Sequence, residues 1–307
     1  VSEAVVFAEE SGAEPRFRLV RAAICGSAEG GNVIGSTLEH PATASARSQW
    51  SPIAGKENIS IAHDKDQAMV TAEHYLEHVT AETRVATIIQ TSPVVGMAVD
   101  VKKIAGAIRS KSPDCFIIVD SIQHAAHGVM DIGAIGVDGC AVSGYKVFSR
   151  HNYGVAWVSP RLSTLRHEKL DGTADNFWEL GTRDTGAFAT FSEVVNYLEW
   201  LGSQLTDSTD QRTRLETAGH AMAEQEQHLV AVAINGAEGR TGIRDVPGAF
   251  ILGGADNPHR EGLVSYTFAN KPSVEVVSEL NERGIRTHLR KADYFSGSVL
   301  TPLDMDS

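Results

Sequence analysis

Apolar positions along the chain come in two textures. The run "RVATIIQT" (84–91) is short and β-branched, as a strand is, while "VDVKKIAGAIRSK" (99–111) spaces Val101, Ile104, Ala105 and Ile108 as one helix face. "DCFIIVD" (114–120) reads as a buried strand, "DGCAVS" (138–143) as another and "GVAWVS" (154–159) as a third. This alternation predicts an α/β fold, a mostly parallel sheet with helices on both faces. "FSEVVNYLEWLGSQL" (191–205) and a polar pattern near 210–228 continue as helices. From about residue 230 the texture changes: "HLVAVAIN", Gly-rich turns, "GLVSYTFA" and "SVEVVSELNERG" read as a smaller C-terminal α+β unit. The expected division is a large domain over 1–230 and a small one over 231–307, with no internal repeat.

Composition narrows the partners. The 307 residues are 42% hydrophobic and 21% charged, with a net charge of −12. Nothing offers the basic face that nucleic acid or an anionic membrane requires. No apolar run approaches the roughly 20 residues of a membrane-spanning helix. Cys25, Cys115 and Cys140 are scattered singly, which makes neither a zinc site nor a disulfide framework and suits a reducing, cytoplasmic setting. His74 and His78, in "HYLEH", read as a solvated helix face rather than a metal pair, since two ligands lack a third. "GSAEGG" (26–31) opens no helix, so a nicotinamide-binding fingerprint is not formed.

Two residues stand out. Asp120 ends the apolar run "FIIV", at the carboxyl end of a strand, where open parallel sheets bind their ligands. Lys146 ends "VSGYK", after the next strand. One chemistry uses both: pyridoxal phosphate is held as a Schiff base to a lysine, and a carboxylate hydrogen-bonds its ring nitrogen. That carboxylate keeps the ring protonated and electron-withdrawing, and a buried lysine beside a cationic ring has the lowered pKa a base needs.

The same residues carry a resemblance. "VDSIQHAAHGVMDI" followed by "VSGYK" resembles the class V aminotransferase family of fold type I, nearest its cysteine desulfurase and isopenicillin-N epimerase branches. The resemblance implies that Asp120 binds the ring nitrogen, Gln123 the ring hydroxyl and Ser143 the phosphate, and that Lys146 carries the cofactor. Tyr145 stands where most members have histidine and offers a hydroxyl to the phosphate, and "SYK"-like spacing also resembles kynureninase. His127 and Asp131 fall in a structural turn. "LEHPAT" (38–43) resembles the family's "EH" motif, placing His40 against the ring face. "ELGTRDTGAF" (179–188) resembles its "EAGTPN" loop, in which Thr182 with Gly181 reaches the phosphate of a neighbouring subunit, implying a homodimer with shared sites. "ESGAEPRFRLV" (10–20) resembles "SGTTEAINLV", whose amides, here Gly12 and Ala13, cradle the phosphate at a helix start.

Departures set the expected reaction. Glu14 and Pro15 replace phosphate-holding residues, so Glu14 is expected to point away. Pro93 stands where many members have an asparagine. The loop that bears the desulfurase thiol should fall near 290–300, and it holds Tyr294, Ser296 and Ser298 but no cysteine. The chain begins just before the first phosphate loop and ends before the family's late substrate-binding arginine; Arg183, Arg286 and Arg290 are the candidates left for a substrate carboxylate. The expectation is a pyridoxal-phosphate enzyme acting on a small amino acid by transamination or by cysteine-independent C–S or β-elimination. An epimerase of the same family and a degenerate, non-catalytic binding protein are the alternatives.

Overall fold

Short β-branched runs become central strands here, because both faces of the sheet they form are covered and alternation is not required of them. The computed structural model describes residues 3–305. In chain order come β1 (Val5–Glu9), α1 (Ala13–Gly26), β2 (Asn32–Ser36), α2 (Pro41–Ile53), β3 (Glu57–Ile61), α3 (Ala72–Leu76), β4 (Thr83–Ile89) and α4 (Val101–Lys111). They are followed by β5 (Phe116–Asp120), α5 (Ile132–Ile135), β6 (Gly139–Ser143), β7 (Gly154–Val158), α6 (Pro160–Ser163), α7 (Thr185–Ser203) and α8 (Gln211–Asn235). The remainder holds β8 (Gly236–Ala237), β9 (Arg240–Thr241), β10 (Ala249–Ile251), β11 (Tyr266–Phe268), α9 (Ser273–Glu282) and α10 (Gly297–Leu300).

Seven strands form one sheet in the order β1-β7-β6-β5-β4-β2-β3. The run β6-β5-β4-β2-β3 is parallel, and β7 is antiparallel to both β6 and β1. One face packs on α3 and α4 through Tyr75, Ile104 and Ile108; the other packs on α1 and α2 through Leu19, Ile24 and Ala46. The expected α/β architecture is therefore present, with helices on both faces. "HLVAVAIN", expected to open the smaller C-terminal α+β unit, forms the last turns of α8, which carries the chain beyond residue 230 to Asn235. Helix propensity and the long polar face of the preceding turns extend the helix until Gly236, with φ of 82°, ends it. His74 serves as a helix cap: its Nδ1 accepts the Thr71 N–H at 3.0 Å. Among the described residues no helix is long and apolar enough to cross a membrane.

The segment after β10 is tied back to the sheet by buried polar anchors. Arg260, 2% exposed, donates to the carbonyls of Val95 and Leu263 at 3.2 Å and of Gly254 at 3.0 Å, as well as to Leu252. Glu261 accepts from Thr91 Oγ1 at 2.7 Å and meets His124 Nδ1 at 2.7 Å.

Register places the site. Parallel pairing sets Ile118 against Gly139 and Asp120 against Ala141, so β5 and β6 end at the same edge. Asp138 pins this register from the opposite end. Its buried carboxylate accepts the Ile117 N–H at 2.9 Å, Arg109 at 2.9 Å and Arg161 Nε at 2.6 Å. Replacing Asp138 with Ala strands these donors and is expected to cost about 3 kcal/mol of folding stability. A urea denaturation midpoint unchanged from the wild type would show that Asp138 does not hold the register.

Candidate active site

At the carboxyl edge of β4, β5 and β6 lies a cavity of about 170 Å³. Gly12, Ala13 and Arg16 line it from the start of α1, His40 from the start of α2, and Asp120, Gln123, Ser143, Tyr145 and Lys146 from the ends of β5 and β6. Eight of the nine residues expected from sequence thus meet in one place: Gly12, Ala13, His40, Asp120, Gln123, Ser143, Tyr145 and Lys146. Thr182 does not join them within the chain. It lines a different cavity with Glu9, Arg150 and Asp184.

Each element delivers its residue for a local reason. Gly12 precedes α1 and packs so closely that a Cβ there would collide with Ser143 Oγ and Ile122 Cδ1, so only glycine lets the helix start approach β6. Its neighbours' amides are the unpaired N–H groups of a helix N-terminus. His40 is the N-cap of α2, with Nδ1 accepting the Ala42 N–H at 3.1 Å. Lys146 lies in a single 3-10 turn, Gly144–Val147, which closes at Phe148 with φ of 66°. That left-handed turn reverses the chain directly after the lysine.

The hydrogen bonds form two sets. Lys146 Nζ donates to Gln123 Oε1 at 2.7 Å. Gln123 Nε2 lies 2.8 Å from His127 Nε2, and His127 Nδ1 lies 2.8 Å from Glu226 Oε2 on α8. The amide donates to Nε2, so the other ring nitrogen bears the proton and gives it to the carboxylate. The turn residue His127 therefore fixes the orientation of Gln123. Asp131, expected in the same turn, caps α5 by accepting the Ala134 N–H at 3.0 Å.

The second set was not foreseen. Arg16, 3% exposed, forms an ion pair with Asp120 Oδ2. Its Nε donates to the Gly12 carbonyl at 3.1 Å and its Nη2 to His40 Nδ1 at 3.0 Å. Asp120 Oδ1 accepts the Ile122 N–H at 3.0 Å. The signal available in the sequence was spacing: Arg16 lies four residues after Gly12, on the same helix face.

Electrostatics follow from burial. Lys146 is pulled below the ordinary lysine range by burial, then by the neighbouring cations Arg290 and Arg16. His40 is pushed down to about 3 by burial, Arg16 and Lys146, so it is neutral with Nδ1 as acceptor. Behind it, Glu39 is fully buried and raised to about 7, chiefly by desolvation, while its Oε1 accepts the Ile89 N–H at 3.0 Å.

The departures also have places. Glu14 does not line the cavity. It folds back to accept the Ser11 N–H at 2.8 Å and the Ser11 hydroxyl at 3.1 Å. Pro93 lines the cavity, and its carbonyl receives Arg290 Nη2 at 3.0 Å. Of the three candidate arginines, Arg290 alone borders the cavity: Arg183 is committed to Glu9 and the Ala8 carbonyl, and Arg286 lines a separate groove. From the loop over 290–300 it is Phe295 that enters, its ring edge-on to His40 at 5.1 Å. Tyr294 is 89% exposed, and Ser296 is buried as the N-cap of α10. Tyr145 sits at the rim, stacked on His151 at 4.6 Å.

Comparison with known proteins gives the family and the fold. The model of the family described as aminotransferase class-V matches residues 2–289. The chain belongs to the class-V aminotransferase family. A probable cysteine desulfurase of Borreliella burgdorferi is 22% identical over 276 residues, which cover 83% of this chain and 59% of the relative. Another, of Mycoplasma genitalium, is 31% identical over 99 residues, covering 32% of this chain and 24% of the relative. The chain therefore spans less than two thirds of the length of these curated relatives. Among solved structures, the cysteine desulfurase CsdA of Escherichia coli superposes with a TM-score of 0.75 at 18% identity, covering 97% of this chain and 71% of that one. The apo cysteine desulfurase of Thermococcus onnurineus does so with 0.77 at 16% identity, covering 98% and 72%. These two likenesses establish the class-V fold.

The arrangement puts the Lys146 amine in a buried, cationic setting. Replacing Arg290 with Met removes one of the two cations that lower its pKa, so the pKa must rise. The pH midpoint for reductive methylation of Lys146, followed by peptide mass, is expected to move to higher pH in Arg290→Met. A midpoint that stays put would leave Arg290 without influence on the amine.

Proposed function

We propose that this chain is the catalytic body of a pyridoxal-phosphate-dependent enzyme that acts on a small amino acid, by transamination or by elimination without a catalytic cysteine. The observation that carries the reading is the meeting of Lys146 and Asp120 at one cavity whose other wall is the helix start at Gly12. The residues fit the group. The cavity of about 170 Å³ has room for a six-membered ring, since ~150 Å³ holds benzene in an apolar protein interior. The amides at Gly12 and Ala13, with Ser143, suit a phosphate at a helix N-terminus.

When bound, pyridoxal phosphate supplies an aldehyde that condenses with amines and a ring that draws electrons from the substrate's α-carbon. The protein's part is positional and acid–base. Lys146, with its lowered pKa, takes and returns a proton at the α-carbon. Gln123, held by His127, orients the group next to it. His40 offers a neutral flat face, and Phe295 at its edge restricts water. Arg290 is the cation placed to receive a substrate carboxylate.

The chain's own cysteines do not support a persulfide route. Cys115 and Cys140 are buried, with burial pushing their thiols up to about 12 and about 11. Cys25 is exposed near the end of α1 opposite Gly12, about 20 Å away along the helix. A nucleophilic thiol must be both accessible and ionised at the site.

A homodimer is part of the proposal. Phe148, Tyr197 and Trp200 are exposed on and beside α7 with their rings in contact, an apolar surface suited to a second copy. Thr182, apart from the cavity of its own chain, would then serve the neighbour's.

Treating the protein with pyridoxal phosphate and then borohydride should leave a reduced adduct on the peptide containing Lys146 and none in Lys146→Ala. Absence of an adduct in the wild type would remove the enzyme reading and favour a cofactor-free binding protein. The same protein incubated with cysteine should carry no protein-bound persulfide by mass; a persulfide on any of the three thiols would restore the desulfurase route.

A further inference from the structure

We propose that Glu39 is a pH-sensitive switch built into the core: its carboxyl gains or loses a proton with the medium although solvent does not touch it, and the change is felt at Ile89 and His40, which line the active cavity. The inference goes beyond the cofactor reading and does not depend on it. Glu39 lies between the end of β2 and the start of α2, with 2% of its surface exposed. Its Oε1 accepts the Ile89 N–H at 3.0 Å, and its Oε2 is buried without a hydrogen-bond partner. Neither oxygen is bonded by a cation.

The groups around the carboxyl come from strands and helices on every side. Arg47 of α2 is buried; its Nη1 donates to the Ile59 carbonyl at 2.9 Å, and its Nε is without a partner. Thr87 of β4 and Ser36 of β2 present buried hydroxyls that are also unpartnered. Tyr75 of α3 spends its hydroxyl on the Thr87 carbonyl at 2.8 Å. Gly35 makes the crowding possible, because a Cβ there would lie 2.2 Å from Thr87 Oγ1 and 2.7 Å from Arg47 Cζ. Buried polar atoms are seldom left unpaired, and each one costs stability. The Thr87 hydroxyl faces the Glu39 carboxyl just outside hydrogen-bonding geometry. A hydroxyl both donates and accepts, so Thr87 can serve either state: it donates to a charged carboxylate and accepts from a protonated one.

The charges facing the carboxyl oppose its burial. Arg47 and, from α1, Arg16 favour the charged form. The other titratable neighbours are uncharged near neutrality: His40 is held neutral, and burial keeps the Tyr75 phenol well above its ordinary range. Burial outweighs the cations, because a carboxylate taken out of water loses its hydration and neither arginine bonds it. Glu39 is accordingly raised from an ordinary 4.5 to about 7. A carboxyl raised in the folded state contributes stability that is fully present below its unfolded pKa. That contribution is lost as pH climbs through about 7. The charged form holds the Ile89 amide by a charge-assisted bond, and the neutral form holds it less firmly. A pH dependence of the cavity near neutrality then comes from a residue that touches no ligand.

The test follows the Glu39 side-chain carboxyl carbon by NMR in the purified chain with carbon-labelled glutamate, the signal being the one that Glu39→Gln removes. In the wild type it is expected to titrate with a midpoint near 7, and the Ile89 amide resonance is expected to move with the same midpoint. Arg47→Met removes the stronger of the two cations, so the midpoint is expected to rise by about one pH unit or more. Glu39→Gln keeps the shape and bonding of the neutral carboxyl. Between about pH 5 and about pH 8 the wild type is therefore expected to lose more of its urea midpoint than Glu39→Gln does. A carboxyl that titrates in the ordinary glutamate range, or that does not titrate across neutrality, overturns the proposal. So does an Ile89 amide that ignores the transition, or an equal loss of urea midpoint in the two proteins. Should Arg47→Met fail to fold, the wild-type titration and the Glu39→Gln comparison decide the matter.

Discussion

The parallel register of β5 against β6 is the constraint on which the site depends. It is fixed at one end by the buried carboxylate of Asp138, which gathers the Ile117 amide and two arginines. At the other end it brings Asp120 and the Ser143–Lys146 turn to one edge. A slip of one residue would turn Asp120 to the opposite face of the sheet and separate it from Lys146. Glycine at position 12 completes the edge, since no other side chain lets α1 begin against Ser143.

Once the edge is formed, burial governs its chemistry. Desolvation lowers Lys146 and His40 and raises Glu39, and the added cations deepen the first two effects. The result is an uncharged histidine face and a lysine closer to its neutral form. Electrostatics of this kind come from position in the fold, because the same residues in a loop would titrate normally.

Legibility followed how much each residue depended on its neighbours in sequence. Asp120 and Lys146 were readable because each ends an apolar run, and a charge at such a boundary marks the ligand edge of a parallel sheet. His40, Gln123, Ser143 and Gly12 were readable through motif resemblance. Strands β1 to β3 were not, since "VVFAE", "NVIGS" and "ENISI" mix polar and apolar residues at lengths where periodicity says little. Helix α2, "PATASARSQWSPI", carries too thin an apolar stripe to announce itself. Helix α8 runs past the polar pattern near 210–228 to Asn235, because the apolar "HLVAVAIN" continues it where the change of texture suggested a new unit. The loop over 290–300 reaches the cavity through Arg290 and Phe295, and the entry of Phe295 is a matter of tertiary packing that no local pattern records.

Arg16 shows why the last part of a site escapes a sequence. An arginine in the first turns of an amphipathic helix reads as a solvated charge, and in most helices it is one. Its meaning here depends on residue 120, more than a hundred positions away, whose carboxylate makes burial of a guanidinium possible. Conversely, Asp120 alone says only that an anion waits at the strand end. The partner it finds is decided by one position on α1, four residues beyond Gly12. The charge that this edge presents therefore depends on one helix side chain as well as on the strand ends, and that dependence has to be read from the packed structure.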